Sequence, residues 1–268
     1  MIEALENQWA LILGASSGFG EAASLELSRA GMNIFGVHLD RKSTLANVER
    51  IRSEIRSAGK QSRFFNVNAA DAEKREVVLQ EIQNTLEQQG ANAAVRVLLH
   101  SLAFGSLGRF FPEDGQRPMG SDQINMTSDV MAHSLVYWTQ GLLQRNLIGE
   151  GTRIFAMTSS GGHRVWPSYG PVSAAKAALE SHIRQLALEL APRGITANAI
   201  QAGVTDTPAL RKIPGHEEMV ESAAKANPGG RLTTPRDVGR ALVALSHPYT
   251  QWMTGNVIRV DGGEDITS

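Results

Sequence analysis

Apolar positions along this chain keep two rhythms that take turns. Short unbroken apolar runs recur at Trp9–Leu13, Asn33–Leu39, Arg63–Val67, Val95–Leu99, Arg153–Thr158, Thr196–Ile200 and Asn256–Val260. Runs of that length, bounded by turn residues, read as strands buried on both faces. Between them the apolar residues fall three and four apart, as Val48, Ile51 and Ile55 do, and predict helices over Glu21–Ala30, Leu45–Ala58, Ala72–Gln88, Asp122–Leu147 and Pro171–Ala191. Strands alternating with helices predict an α/β fold, a doubly wound parallel sheet of about seven strands with helices on both faces. No repeat, linker or low-complexity stretch divides the chain, so residues 1–268 are expected to form a single domain. Two stretches escape both rhythms. Gly108–Gly120, rich in Gly, Pro and charge, is expected to face solvent, and Thr205–Leu232 is a long excursion before the last helix. Open α/β sheets bind ligands beyond the carboxyl ends of their strands, so the second stretch is a candidate substrate cover.

Composition narrows the function. With 42% hydrophobic and 20% charged residues the chain can fill an ordinary core. A net charge of −1 gives no electrostatic footprint for nucleic acid. The lack of any Cys excludes disulfides and thiolate metal sites and agrees with a cytoplasmic protein. No run reaches the ~18–20 apolar residues of a membrane span, and Met1–Glu6 lacks the basic start of a signal peptide. The seven His are scattered, and His182 has no ligand partner at helical spacing, so no metal is expected.

Chemistry enters with Gly14-Ala15-Ser16-Ser17-Gly18-Phe19-Gly20, placed between the first strand and the first helix. Glycines there let the backbone approach a pyrophosphate at the helix N-terminus. The loop predicts a dinucleotide held by Gly14, Ser16, Ser17, Gly18, Phe19 and Gly20. Its spacing, with Tyr169 and Lys176 on a later helix, resembles the short-chain dehydrogenase/reductase family, whose fold is Rossmann-like. The likeness spans nearly the whole chain, including Asn198–Gly203 and Val260–Gly263.

The departures from that family are informative. Its ketone reductases place Tyr four residues before Lys. Here that position is Val172, and Tyr169 stands seven before Lys176. Ser159 keeps the family spacing of thirteen residues to position 172, and Met131 replaces the family Asn, with His133 and Ser134 beside it. His100-Ser101-Leu102-Ala103-Phe104, Tyr-x6-Lys and Ala199–Gly203 resemble the enoyl-acyl carrier protein reductases; Asp206–Pro214 and Asn227–Arg231 resemble their less common type, which keeps an ordinary phosphate loop, while the fourth-strand motif is closer to the better-known type.

That resemblance implies reduction of the C2–C3 bond of a trans-2-enoyl thioester, carried on acyl carrier protein or coenzyme A, in fatty acid biosynthesis. In such a substrate hydride goes to C3 while charge develops on the C1 oxygen, two bonds away, which accounts for a displaced Tyr. It implies Tyr169, Lys176 and Ser159 as the catalytic set, with Lys176 holding the nicotinamide ribose and lowering the Tyr169 pKa. Ser101 and Ala103 are expected along that ribose, and Gly203, Val204 and Thr207 at the carboxamide and phosphates, with the Val204 backbone meeting the carboxamide. His38 falls where an NAD enzyme carries an acid, and Arg41 and Lys42 follow Asp40, so NADPH is favoured, with NADH possible. Asn66 and Val67 are expected beside adenine. Phe104, Leu210, Ile213 and Met219 are expected to wall an acyl chain. A homotetramer is implied as well. The rivals are a 3-oxoacyl thioester reductase, a hydroxysteroid or alcohol dehydrogenase, and a nucleotide-binding regulator without turnover.

Overall fold

A computed structural model describes residues 3–90, 93–113, 115 and 117–267. Its centre is one seven-stranded, wholly parallel sheet ordered β3-β2-β1-β4-β5-β6-β7. The strands are β1 (Trp9–Leu13), β2 (Asn33–His38), β3 (Ser62–Asn66), β4 (Val95–His100), β5 (Arg153–Thr158), β6 (Thr196–Ala202) and β7 (Val257–Val260). Strand order reverses between β1 and β4, the switch point where such sheets open a crevice. Alternation along β1 divides the core. Trp9, Leu11 and Leu13 pack on one face with Leu79, Ile82, Leu135, Trp138 and Ile183. Ala10 and Ile12 pack on the other with Ala23, Leu27, Ile51, Ile55, Val238 and Leu242.

The helices are α1 (Gly18–Arg29), α2 (Leu45–Ser57), α3 (Ala72–Glu87), α4 (Ser121–Ser128), α5 (Ser134–Gln144), α6 (Gly170–Leu190), α7 (His216–Ala226), α8 (Pro235–Leu245) and a short α9 (Glu264–Thr267). Their starts follow from local chemistry. Asp71 caps α3 by accepting the Lys74 N–H at 3.0 Å, and Pro171 sits in the first turn of α6, where its missing N–H costs nothing.

Three expectations are corrected. The span Asp122–Leu147 is not one regular helix: a π turn at Asp129–His133 separates α4 from α5, and the chain leaves the helix before Asn146, whose φ is 55°. The excursion 205–232 holds a helix of its own, α7, whose first turn carries Glu217 and Glu218 at the favourable end of the dipole. The second strand stops at His38, and Leu39 is exposed.

Candidate active site

A cavity of ≈ 420 Å³ opens beyond the carboxyl ends of β4, β5 and β6 and is lined by Ser101, Ser159, Tyr169, Lys176, Gly203 and Thr207 among others. At one side stands the glycine loop. Gly14 has φ 92°, and a Cβ there would lie 2.4 Å from the Ser101 carbonyl oxygen; one on Gly20 would lie 2.0 Å from that of Gly14. Only glycine fits where β1, α1 and the exit of β4 converge this closely. Ser17 is the N-cap of α1 in extended conformation and makes no side-chain cap bond, which leaves the helix start to an anion. Phe19 reaches the cavity from this turn. Thr207 lies over the loop, its methyl 3.5 Å from where a Gly18 Cβ would be, while its hydroxyl accepts the Leu210 N–H at 3.2 Å. The loop, the uncapped helix and Thr207 suit a pyrophosphate.

At the end of β2, His38 is buried and its Nδ1 meets Asp40 Oδ2 at 2.9 Å. Burial pulls the Asp40 carboxyl upward, but bonds to the side chains of Ser16, Thr44 and His38 together hold it below the usual range. Asn66 spends both amide atoms on the Asp40 backbone: it accepts from the N–H at 2.9 Å and donates to the carbonyl at 3.0 Å. The side chain expected at the adenine amine also fixes the Asp40 backbone. Val67, half-buried, donates its N–H to the His38 carbonyl at 2.8 Å. Arg41 and Lys42 are exposed.

At the other end, Tyr169 caps α6 rather than lying on it, as Pro171 implies, and it follows Ser168, which has φ 65°. Ser159 hydrogen-bonds the phenol and also accepts the Gly161 N–H at 3.1 Å. Lys176, one side of the same pocket, is buried and donates to the Met157 carbonyl at 2.7 Å. Burial lowers its pKa from 10.5 to about 8, with Glu180 opposing. Glu180 is held in turn by the Thr158 hydroxyl at 2.6 Å. The expectation that Lys176 depresses the Tyr169 pKa is corrected: burial pushes the phenol up, against the Ser159 bond. A phenol in so dry a site keeps its proton.

Behind Lys176, His100 is fully buried, and burial, then the Lys176 charge, drive its pKa down to about 3. It is therefore a neutral ring, with Nε2 at 2.8 Å from the Ser134 hydroxyl, which itself donates to the Val130 carbonyl in the π turn at 2.8 Å. Met131, in that turn, and Val172 are buried together and both line the cavity. Where a ketone reductase has Asn and Tyr, this pocket has a thioether and an isopropyl group. Leu210, Ile213 and Met219 line the cavity as expected; Phe104 lies outside it and is 59% exposed, while Leu102, Leu107 and Trp166 contribute instead. Ser101 sits in the wall beside the glycine loop, and Ala103, largely exposed, lies at its edge.

The Val204 N–H, expected to meet the carboxamide, is held by Glu264, with Oε1 at 3.1 Å and Oε2 at 3.0 Å. The sequence reading passed over Glu264 and Glu180. The available signal for Glu264 was an acid directly after the Gly262-Gly263 turn that closes the last strand. His182 does have a ring partner, His133 Nδ1 at 2.9 Å, from a different helical segment. Among the described residues no group of three His, Asp or Glu could hold a metal, and no helix is long and apolar enough to cross a membrane.

A glycine loop at the switch point of a parallel sheet, leading to a pocket with a half-buried Tyr and a buried Lys, defines a nicotinamide-dependent oxidoreductase of Rossmann type. The chain belongs to the family described as enoyl-(acyl carrier protein) reductase, within the short-chain dehydrogenase/reductases, whose model matches residues 14–264. It is 33% identical over 170 residues to an NADH enoyl-[acyl-carrier-protein] reductase of Aquifex aeolicus, an alignment spanning 63% of this chain and 62% of that protein. The crystal structure of the Aquifex aeolicus NADH enoyl reductase superposes with a TM-score of 0.83 at 26% identity, covering 98% of each chain. A 1-cyclohexenylcarbonyl-CoA reductase of Streptomyces collinus is 28% identical over 98% of this chain and 88% of its own length.

Proposed function

We propose that this protein is a cytoplasmic enoyl-acyl carrier protein reductase of fatty acid biosynthesis, reducing the C2–C3 bond of a trans-2-enoyl thioester. The observation that carries this reading is the exchange of partners around the pocket. Position 172, four before Lys176, is an apolar wall packed on Met131, while the phenol that can hold an oxyanion has moved to the cap of α6.

A reduced nicotinamide cofactor, its pyrophosphate held at the glycine loop, would supply hydride to C3, and C2 would then take a proton from the Tyr169 hydroxyl or from water. Tyr169, kept neutral because partial burial raises its pKa, donates a hydrogen bond to the C1 oxygen as enolate charge develops there. Ser159 orients that phenol. Lys176 presents an ammonium from the pocket floor to the nicotinamide ribose hydroxyls, fixed by the Met157 carbonyl. Val172 and Met131 exclude water and offer no hydrogen bond to a carbonyl at the ketone position. The cover formed by Leu210, Ile213 and Met219 supplies an apolar wall for the acyl chain.

The placement of Asp40 favours NADH over the NADPH suggested by Arg41 and Lys42. An ionised carboxylate bonded to Ser16 of the phosphate loop suits a ribose 2′-hydroxyl and repels a 2′-phosphate. The Aquifex relative named for NADH supports the same preference. A homotetramer is the expected assembly.

The Ser159–Tyr169 pair is also what a 3-oxoacyl thioester reductase would need, so the decisive assay runs crotonyl and acetoacetyl thioesters of carrier protein and coenzyme A side by side. The expected result is turnover of crotonyl thioester, lost by about a hundredfold in Tyr169→Phe with cofactor affinity kept. Turnover of the keto substrate alone overturns the reading.

A further inference from the structure

Glu264 is a buried carboxylate inside the active cavity for which the reaction just described has no use. It is the first residue of α9 and 7% exposed, and it faces the same space as Tyr169 and Lys176. Burial raises its pKa, a cost opposed by the Val204 N–H, with Asp261 and Asp265 adding repulsion and Arg164 attraction. Both of its oxygens converge on Val204 N, at 3.1 and 3.0 Å. The backbone leaves little room there: a Cβ on Gly203 would lie 2.7 Å from Glu264 Oε2. The carboxylate is therefore seated on the β6 exit through glycine, not merely leaning on it.

A nicotinamide carboxamide presents two unlike ends about 2.3 Å apart, a carbonyl that accepts and an amino group that donates. The Val204 N–H satisfies the first. A carboxylate accepts only, so an acceptor fixed within hydrogen-bond distance of that N–H complements the second. We infer that Glu264 is a specificity-determining residue of the cofactor site, yielding one oxygen's place on Val204 to the carboxamide carbonyl and accepting the carboxamide N–H. The inference rests on the nicotinamide-binding reading of the pocket. It assigns to this chain's own carboxylate the task of distinguishing a primary amide from groups of the same shape that cannot donate.

The test is a calorimetric titration of the full-length protein with NADH and with its reduced 3-acetylpyridine analogue, in which methyl replaces the amino group and the carbonyl is kept. NADPH and its acetylpyridine analogue run in parallel. Loss of a hydrogen bond to a charged acceptor is expected to weaken the analogue by at least about tenfold in the parent protein. Glu264→Ala is expected to bring the two affinities within about threefold of each other by weakening NADH. Glu264→Gln, which keeps the shape and a carbonyl acceptor, is expected to retain part of the preference and guards against an Ala variant that packs poorly. An unchanged NADH-to-analogue ratio in both variants overturns the inference and leaves the cofactor reading intact. Equal tightening of both ligands in Glu264→Ala also overturns it, since Glu264 would then only compete for the Val204 N–H. Absence of binding by either nucleotide to the parent protein overturns the nicotinamide reading itself.

Discussion

At the scale of single residues, the pocket separates two groups that titrate in opposite senses from their free values. Tyr169 is pushed up by burial, and Lys176 is lowered to about 8. A base with a depressed pKa sheds its proton in the folded protein first. Between about pH 8 and 10.5 the unfolded chain binds more protons at this site, so the Lys176 contribution to stability rises with pH across that window. Whatever needs the ammonium fades over the same range. Cofactor affinity followed by fluorescence titration is therefore expected to fall above about pH 8. Glu180→Gln removes the attraction that favours the charged form and moves that fall to lower pH; a midpoint that does not move counts against Lys176 as its origin. A second residue-scale expectation concerns Asp40. Asp40→Ala removes a negative charge beside Ser16 and should raise the NADPH-to-NADH ratio of kcat/KM by about tenfold, read from steady-state rates with each cofactor.

At the scale of elements, the π turn at Asp129–His133 ties the helix layer to the end of β4. Ser134 donates to Val130 within the turn and meets His100 across the layer. His100 Nδ1 is buried with no hydrogen-bond partner among the described residues, and Nε2 meets the Ser134 hydroxyl. Ser134→Ala should cost about 1–3 kcal/mol, read as a shifted urea midpoint at unchanged slope. Neither the turn nor its clasp was visible in the sequence. A π turn adds one residue to a helix without changing which residue types are present, so periodicity carries Asp122–Leu147 straight through it. The strands were legible because a buried parallel sheet needs continuous apolar runs, and Trp9–Leu13 provides one. The glycine loop was legible for a similar reason, since Gly14 and Gly20 have no alternative at their contacts. Tyr169 and Lys176 were legible through resemblance, since their spacing matches the Tyr-x6-Lys of enoyl reductases. Glu264 was not, because an acid after two glycines shows no partner until the fold brings Val204 to it, whereas Glu180, four residues after Lys176 on one helix, offered a readable pair that was passed over.

At the scale of the whole molecule, the sheet ends at β7, an edge strand with exposed apolar side chains in the segments around it. Tyr249 is 90%, Trp252 95% and Leu188 71% exposed, and the turn at Gly255 lies against Ala187 of α6. Aromatic surface of this kind beside a sheet edge suits the homotetramer proposed above. Light scattering is expected to give a four-chain mass for the parent and a smaller one for the paired change Leu188→Glu with Trp252→Glu, whereas a monomeric parent contradicts the tetramer. The cover over the pocket is secured differently, from within the chain. Asn227 donates to the Asp261 carbonyl at 2.7 Å and accepts the Gly229 N–H at 2.8 Å, and Thr267 donates to the Ala226 carbonyl at 2.7 Å. Asparagine is ordinarily the residue that ages first, because the next backbone nitrogen attacks its side-chain amide and closes a succinimide. The residue after Asn227 is Pro228, which has no N–H to make that attack. The fastening of the cover is thus protected against slow chemical wear, and in a stored preparation Asn227 should stay intact long after exposed asparagines elsewhere have deamidated.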